Sequence, residues 1–174
     1  GGYAIRVGRK TNQKIEIDNP KIIDLTNEKS NDFIDLYVIA KSKYFIGNTS
    51  GLFHIAKLFS VPYCITNLIG YLDLPQNNNS FFLPKKIKYQ NKILTFDECS
   101  KLGFFDKING KKYYLSQTYH DEELTVINNS SKEILEATKD LIEFNLGNKN
   151  INNKQVEIKN KYFDYAEHRN LASN

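Results

Sequence analysis

The chain has 174 residues, 40% of them hydrophobic and 25% charged, with a formal net charge of +4. This length is enough for one medium domain with a real core, and the composition is that of an ordinary globular protein. The mild charge and the lack of an aromatic-plus-basic RNA-binding signature argue against nucleic acid as a partner. No apolar run approaches the roughly 20 residues of a membrane span.

There are 11 Tyr and 11 Phe but no Trp and no Met. Residue 1 is a Gly inside what reads as a structured segment, so the chain is expected to be a piece of a longer protein. No signal peptide is visible in it.

In chain order, Tyr3 to Val7 is a short apolar run closed by Gly8, the pattern of a strand. Lys21 to Leu25 is a second strand candidate. Asn31 to Lys41 reads as a helix. Phe33, Ile34, Tyr37, Val38 and Ala40 give it a broad apolar side, and Ser30 or Asn31 can cap it. Tyr44 to Ile46 is a third strand. Ser50 or Gly51 opens a second helix running through Phe59, and Pro62 starts a fourth strand. Strands alternating with helices at this spacing predict a parallel sheet with crossover helices, hence an α/β, Rossmann-like fold.

The section that follows reads as loop-rich, beginning with the Pro and Asn connection "DLPQNNNS". Lys85, Lys86, Lys88 and Lys92 form the densest basic run, read as a solvated face rather than a nucleic-acid or membrane patch. Leu94 to Leu102 is a short helix, with Thr95 and Glu98 as a capping box and Gly103 just past its end. Residues 104 to 124 show no clear period. Ser130 and Glu133 form a second capping box. It opens a helix whose inner stripe includes Ile134, Ala137, Thr138, Leu141 and Ile142. Residues 148–153 are a polar break. Residues 154–170 form a further amphipathic helix in this reading, with Val156, Tyr162, Phe163 and Tyr165 as contacts. The expected organisation is one Rossmann-like domain over 1–147, followed by the break and a C-terminal helix over 148–174.

Cys64 and Cys99 sit in no metal-ligand spacing and read as buried free thiols in a reducing compartment. In an open parallel sheet, ligands bind beyond the carboxyl ends of the strands. Three loops therefore stand out: Gly8 to Thr11, Gly47 to Gly51, and Asn67 to Gly70. The second is the most informative. The first N–H groups of a helix lack partners and carry about half a positive charge. Gly51 admits close approach, Thr49 and Ser50 add hydroxyls, and a phosphate fits there. An ordinary strand-to-helix turn is the competing reading.

Within this stretch, His54 is either a satisfied structural side chain or one that faces the ligand. Arg6 lies in an apolar strand. It either pairs with a carboxylate such as Asp24 or Asp35 or reaches an anionic ligand. No Walker motif, three-glycine fingerprint, catalytic triad, zinc spacing or acidic metal pair is present. A diphosphate would then be neutralised by backbone amides and basic side chains.

The pieces "GGYAIRVG", "IIDLT", "NDFIDLYVIAKS", "YFIGNTSG", "VPYCITN", "LPKK", "ILTFDE" and "INNSSKEI" occur in that order. Together they resemble a family of bacterial glycosyltransferases of the GT-B type. The likeness covers about residues 1 to 145. The Ser-Gly helix start is similar in role to the phosphate-contacting helix start of heptosyltransferase-like enzymes.

The resemblance implies that this chain is most of a C-terminal, donor-binding domain. Its substrate would be a nucleotide-sugar, with no other cofactor and no metal. The glycan or lipid-linked acceptor would sit on an N-terminal domain that lies outside the chain, so the chain alone would be inactive. Gly47, Asn48, Thr49, Ser50 and Gly51 would hold the diphosphate, supported by His54, with Arg6 and Gly8 beside it. Asn67 would shape the nucleotide or sugar pocket. No catalytic residue is assigned. The setting implied is bacterial surface polysaccharide synthesis in the cytoplasm, with peripheral association at the inner face of the membrane as a variant. A non-catalytic interaction module and a sugar-nucleotide modifying enzyme on a similar sheet are the competing functions.

Overall fold

The structure is a computed structural model. It describes residues 2–9, 15–26, 31–69, 79–104 and 116–150, together with 153, 156, 157, 160 and 161. The chain divides into two compact units. One comprises Gly1–Phe45 and Ser50–Tyr63, the other Ile46–Thr49 and Cys64–Asn174.

In the first unit, β1 (Ala4–Arg6) and β2 (Ile22–Asp24) pair in parallel, with Ile5 opposite Ile23 and Arg6 opposite Asp24. Helix α1 (Asp32–Lys41) is capped by Asn31, whose side-chain oxygen accepts the Ile34 N–H at 2.8 Å. Asp32 and Asp35 in its first turn complement the helix dipole. Helix α2 (Gly51–Leu58) packs against α1. Its buried Phe53 and Ala56 join Ile39, Val61 and Tyr63 in the core. The strands and helices fall where the apolar patterning places them, within a residue or two.

In the second unit, β4 (Tyr63–Leu68) is the middle strand of a sheet ordered β3–β4–β5. Its neighbours are β3 (Phe45–Gly47) and β5 (Phe81–Pro84). Phe45 and Tyr63, the first residues of β3 and β4, count with the first unit. Strands β4 and β5 are parallel. The burial of β4 on both faces matches its near-continuous apolar sequence: Cys64, Ile65, Thr66 and Leu68 are all buried. Parallel pairing and the helices that accompany it make the chain α/β, as the alternation of strands and helices predicts.

A second sheet lies in the section that reads as loop-rich. It is antiparallel, ordered β7–β6–β8, from β6 (Lys86–Tyr89), β7 (Lys92–Ile93) and β8 (Leu124–Ile127). The segment Lys86-Ile87-Lys88-Tyr89 does alternate, and Ile87 is buried at 4% exposure. Its lysines masked a strand as a charge run. The β6–β7 turn is equally unmarked: Gln90 holds φ +50°, where Gly or Asn is the common choice. The lysines are a solvated face in part stitched to carboxylates, since Lys86 pairs with Glu133 and Lys92 with Glu98.

Helix α3 (Phe96–Lys101) and helix α5 (Ser131–Asn145) both carry complete capping boxes, Thr95 with Glu98 and Ser130 with Glu133. Gly103, just past α3, takes φ +85°. The predicted stripe of α5 turns inward, with Leu141 fully buried and Phe144 meeting Phe81 of β5 edge-on at 5.6 Å. A short helix, α4 (Ser116–Asp121), packs against β8. Most of the predicted C-terminal helix, and all of residues 10–14, 70–78 and 105–115, lie outside the described residues. Among the described residues, no helix is long and apolar enough to cross a membrane.

Candidate functional site

The predicted site residues fall in both units. Arg6, Gly8, Ser50, Gly51 and His54 belong to the first, and Gly47, Asn48, Thr49 and Asn67 to the second.

In the first unit the decisive element is the start of α2. Ser50 is its N-cap, with extended backbone at φ −122° and ψ 166°, yet its side chain makes no capping hydrogen bond. No acidic residue stands in the first turn. Helices α1, α3 and α5 each have both a side-chain cap and a first-turn acid. The N-terminal dipole of α2 is thus left to whatever solvent or ligand meets it. A Cβ added to Gly51 would meet no atom within 4 Å. Packing does not require glycine there, and the backbone is open to approach.

Gly8 adjoins this helix start. It holds φ +114°, and a Cβ there would lie 3.3 Å from Cδ1 of Leu52, in the first turn of α2. Its N–H donates to Oδ1 of the buried Asp35 at 3.3 Å. Gly8 is therefore needed by the fold itself: the turn after β1 requires a left-handed residue without a side chain.

Arg6 takes the first of its two predicted roles. Its guanidinium lies 3.3 Å from the Asp24 carboxylate, directly across the β1–β2 pair. Asp24 in turn accepts from the Thr26 hydroxyl at 2.6 Å and from the Thr26 N–H at 3.0 Å. The Thr26 hydroxyl, then its N–H, then the charge of Arg6 hold the Asp24 carboxyl below the usual carboxylate range. His54 is exposed on α2, its ring centroid 3.9 Å from that of Phe53. It is not a core histidine.

In the second unit, Asn48 and Thr49 are exposed beyond the end of β3, and the Gly47 carbonyl accepts from the Thr66 hydroxyl at 3.3 Å. Asn67 holds φ +52°. Its N–H donates to the Asn129 side-chain oxygen at 2.6 Å, and its own side-chain oxygen accepts the Asn129 N–H at 2.7 Å. The Asn129 amide nitrogen donates to the Pro84 carbonyl at 2.8 Å. Asn67 thus has a structural task that the sequence did not disclose. Asn129 carries no signal in the sequence, because an Asn before a helix cap looks like any loop residue.

Both cysteines are buried, as predicted. Burial pushes the Cys64 thiol up to about 12 and is the main cause raising Cys99 to about 11, with the Glu98 charge adding to it. Neither is a thiolate near neutral pH. Among the described residues, no group of three or more His, Cys, Asp or Glu side chains could hold a metal ion. A cleft of about 610 Å³ in the second unit is lined by Tyr89, Leu94, Leu102 and Leu124 with Glu98, Lys101 and Glu122. None of the predicted site residues lines it.

Compared with protein-family models, curated proteins and solved structures, the chain finds no match.

Proposed function

We propose that this chain is the donor-binding domain of a GT-B glycosyltransferase, and that the start of α2 seats the diphosphate of a nucleotide-sugar. The observation that carries the reading is the uncapped, acid-free N-terminus of α2 with Gly51 open at its mouth. Oxygen atoms of a diphosphate would accept the N–H groups at the very start of the helix, ahead of the Phe53 N–H that donates to the Ser50 carbonyl at 3.3 Å, and the helix dipole would favour their charge. The Ser50 hydroxyl, which makes no cap bond, is available to donate as well. His54, one turn further along, is exposed and could reach the same anion.

In this reading the acceptor hydroxyl attacks the anomeric carbon. The bond from that carbon to the diphosphate oxygen breaks, and the nucleoside diphosphate leaves with the electron pair. The hydroxyl proton passes to a base outside this chain. What α2 supplies is stabilisation of the leaving group, the electrostatic term that is often largest in such a step. Acceptor choice and the surface-polysaccharide role rest on the sequence resemblance.

The test is calorimetry on the chain with UDP, GDP, dTDP, CDP and CMP. Binding of at least one, weakened by Ser50→Ala and by Gly51→Val, is the expected result. Binding that both variants leave intact would move the site elsewhere. A chain that binds none would overturn the reading. A non-catalytic interaction module is the second reading. It is favoured by the commitment of two site candidates to the framework: Arg6 to Asp24 and Asn67 to Asn129.

A further inference from the structure

Strand β4 does not run regularly to its end. Cys64 and Ile65 stand opposite Phe81 and Phe82, but Leu68 stands opposite Pro84. Thr66 and Asn67 together therefore face the single residue Leu83, which is a β-bulge in a parallel pair. Bulges are uncommon between parallel strands, and they serve to bend a strand and re-aim its side chains. Here the extra residue is Asn67, at φ +52°. Asn tolerates left-handed backbone better than other residues with a side chain, but inside a strand that conformation interrupts the ladder and leaves its N–H to find another acceptor.

Asn129 supplies that acceptor. It is buried at 8% exposure and uses three polar groups. Its side-chain oxygen takes the Asn67 N–H, its backbone N–H meets the Asn67 side chain, and its amide nitrogen reaches the Pro84 carbonyl. One side chain thus fastens the bulge of β4, the end of β5 and the approach to α5. Beyond the bulge the ladder resumes, with the Lys85 N–H donating to the Leu68 carbonyl at 3.0 Å. Without the extra residue, the side chains after it would change faces, and Leu68, now 1% exposed, would have to pack against the opposite side of the sheet.

We propose that Asn129 is a positioning residue that locks β4 in its bulged register, and so fixes how Leu68 pairs with Pro84 at the carboxyl end of the β4–β5 sheet. The two registers differ by a one-residue slip. The Asn67–Asn129 exchange favours the bulged one because only the left-handed Asn67 presents its N–H and its side-chain oxygen together to Asn129. The carboxyl end of a parallel sheet is where ligand loops originate. The lock is independent of what, if anything, those loops bind.

Amide hydrogen exchange on the 174-residue chain tests this. The Lys85 N–H reports on the ladder beyond the bulge. Amides in the β6–β8 pairing and in the middle of α5 report on the second unit as a whole. In Asn129→Ala, exchange at Lys85 should quicken about tenfold or more while the control amides keep their rates. Asn129→Asp retains the oxygen for the Asn67 N–H but sets a carboxylate oxygen against the Pro84 carbonyl, so it should quicken exchange at the same amide at least as much. If Asn129→Ala fails to fold, Asn129→Asp and Asn67→Gly carry the test. An unchanged Lys85 rate in the variants would overturn the lock. So would an equal rise at every amide, since that marks general destabilisation and no local register control.

Discussion

Asn67 and Asn129, 62 residues apart, each accept the other's backbone N–H on a side-chain oxygen, at 2.6 and 2.7 Å. The exchange holds a non-glycine residue left-handed inside a strand. Two substitutions separate its parts. Asn67→Gly keeps the backbone conformation free of strain but removes one acceptor, so a loss of about 1 kcal/mol is expected. Asn67→Val removes the acceptor and adds a β-branched side chain where φ is positive. Its loss should exceed that of Asn67→Gly by about 1–2 kcal/mol in urea unfolding. If the two variants were equally stable, a left-handed backbone at position 67 would be refuted.

The two glycines at the candidate site should behave oppositely. Gly8→Ala meets Leu52 at 3.3 Å with φ +114° and should lower stability by about 1–3 kcal/mol. Gly51→Ala meets nothing and should leave stability unchanged or raise it slightly. Thermal unfolding of the two proteins side by side decides. A large loss in Gly51→Ala would mean that packing, and not ligand access, explains glycine there.

The N-caps make a second contrast. Ser130→Ala removes a cap that accepts the Glu133 N–H at 3.3 Å and should cost about 1 kcal/mol. Ser50→Ala removes no cap bond and should cost clearly less. Equal losses by denaturant titration would indicate that Ser50 caps α2 in solution. That would weaken the case for its hydroxyl serving a ligand.

Acid should reveal the two capping boxes. Hydrogen bonding from Lys92, then from the Thr95 N–H and hydroxyl, lowers Glu98 to about 2. Lys86 and then Ser130 do the same for Glu133. Folded values below the ordinary 4.5 mean the folded state holds the charged forms more strongly than the unfolded chain does. That stability is present above about pH 4.5 and drains away as pH falls toward 2. The variants Glu98→Gln and Glu133→Gln should each flatten the acid side of a stability–pH profile. A profile unchanged by both would show that solvent screens these pairs completely.

Phe33, 73% exposed on α1 and stacked with Tyr37 at 6.3 Å, should tolerate replacement by Ser with a change within about 0.5 kcal/mol. A loss of several kcal/mol on thermal unfolding would show that this face of α1 is covered in solution.

Much of the first half of the chain was legible because each element there carries its own signal. Asn31 caps α1, apolar runs mark β1 to β4, and Gly47 to Gly51 break the pattern between β3 and α2. The capping boxes at Thr95 and Ser130 were equally plain, since three residues suffice to write them. The antiparallel sheet was hidden because β6 reads as a lysine run and β7 spans only two residues. At the candidate site the sequence offered two partners for Arg6, Asp24 and Asp35. The parallel register of β1 and β2 selected Asp24, and Asp35 turned instead to the N–H of Gly8.

The local features were legible from the residues alone: the helices and strands of the first half, where most helices are capped, and that the start of α2 has no acid in its first turn. Such features depend on residues within one turn of each other. Other features arise only on folding, because they join residues far apart in the chain. The left-handed Asn67 is held by an Asn 62 positions later, and Gly8 is required by Leu52 and Asp35. No window of sequence contains both members of those pairs. The energy that fixes them arises only when folding has brought a buried donor to its acceptor.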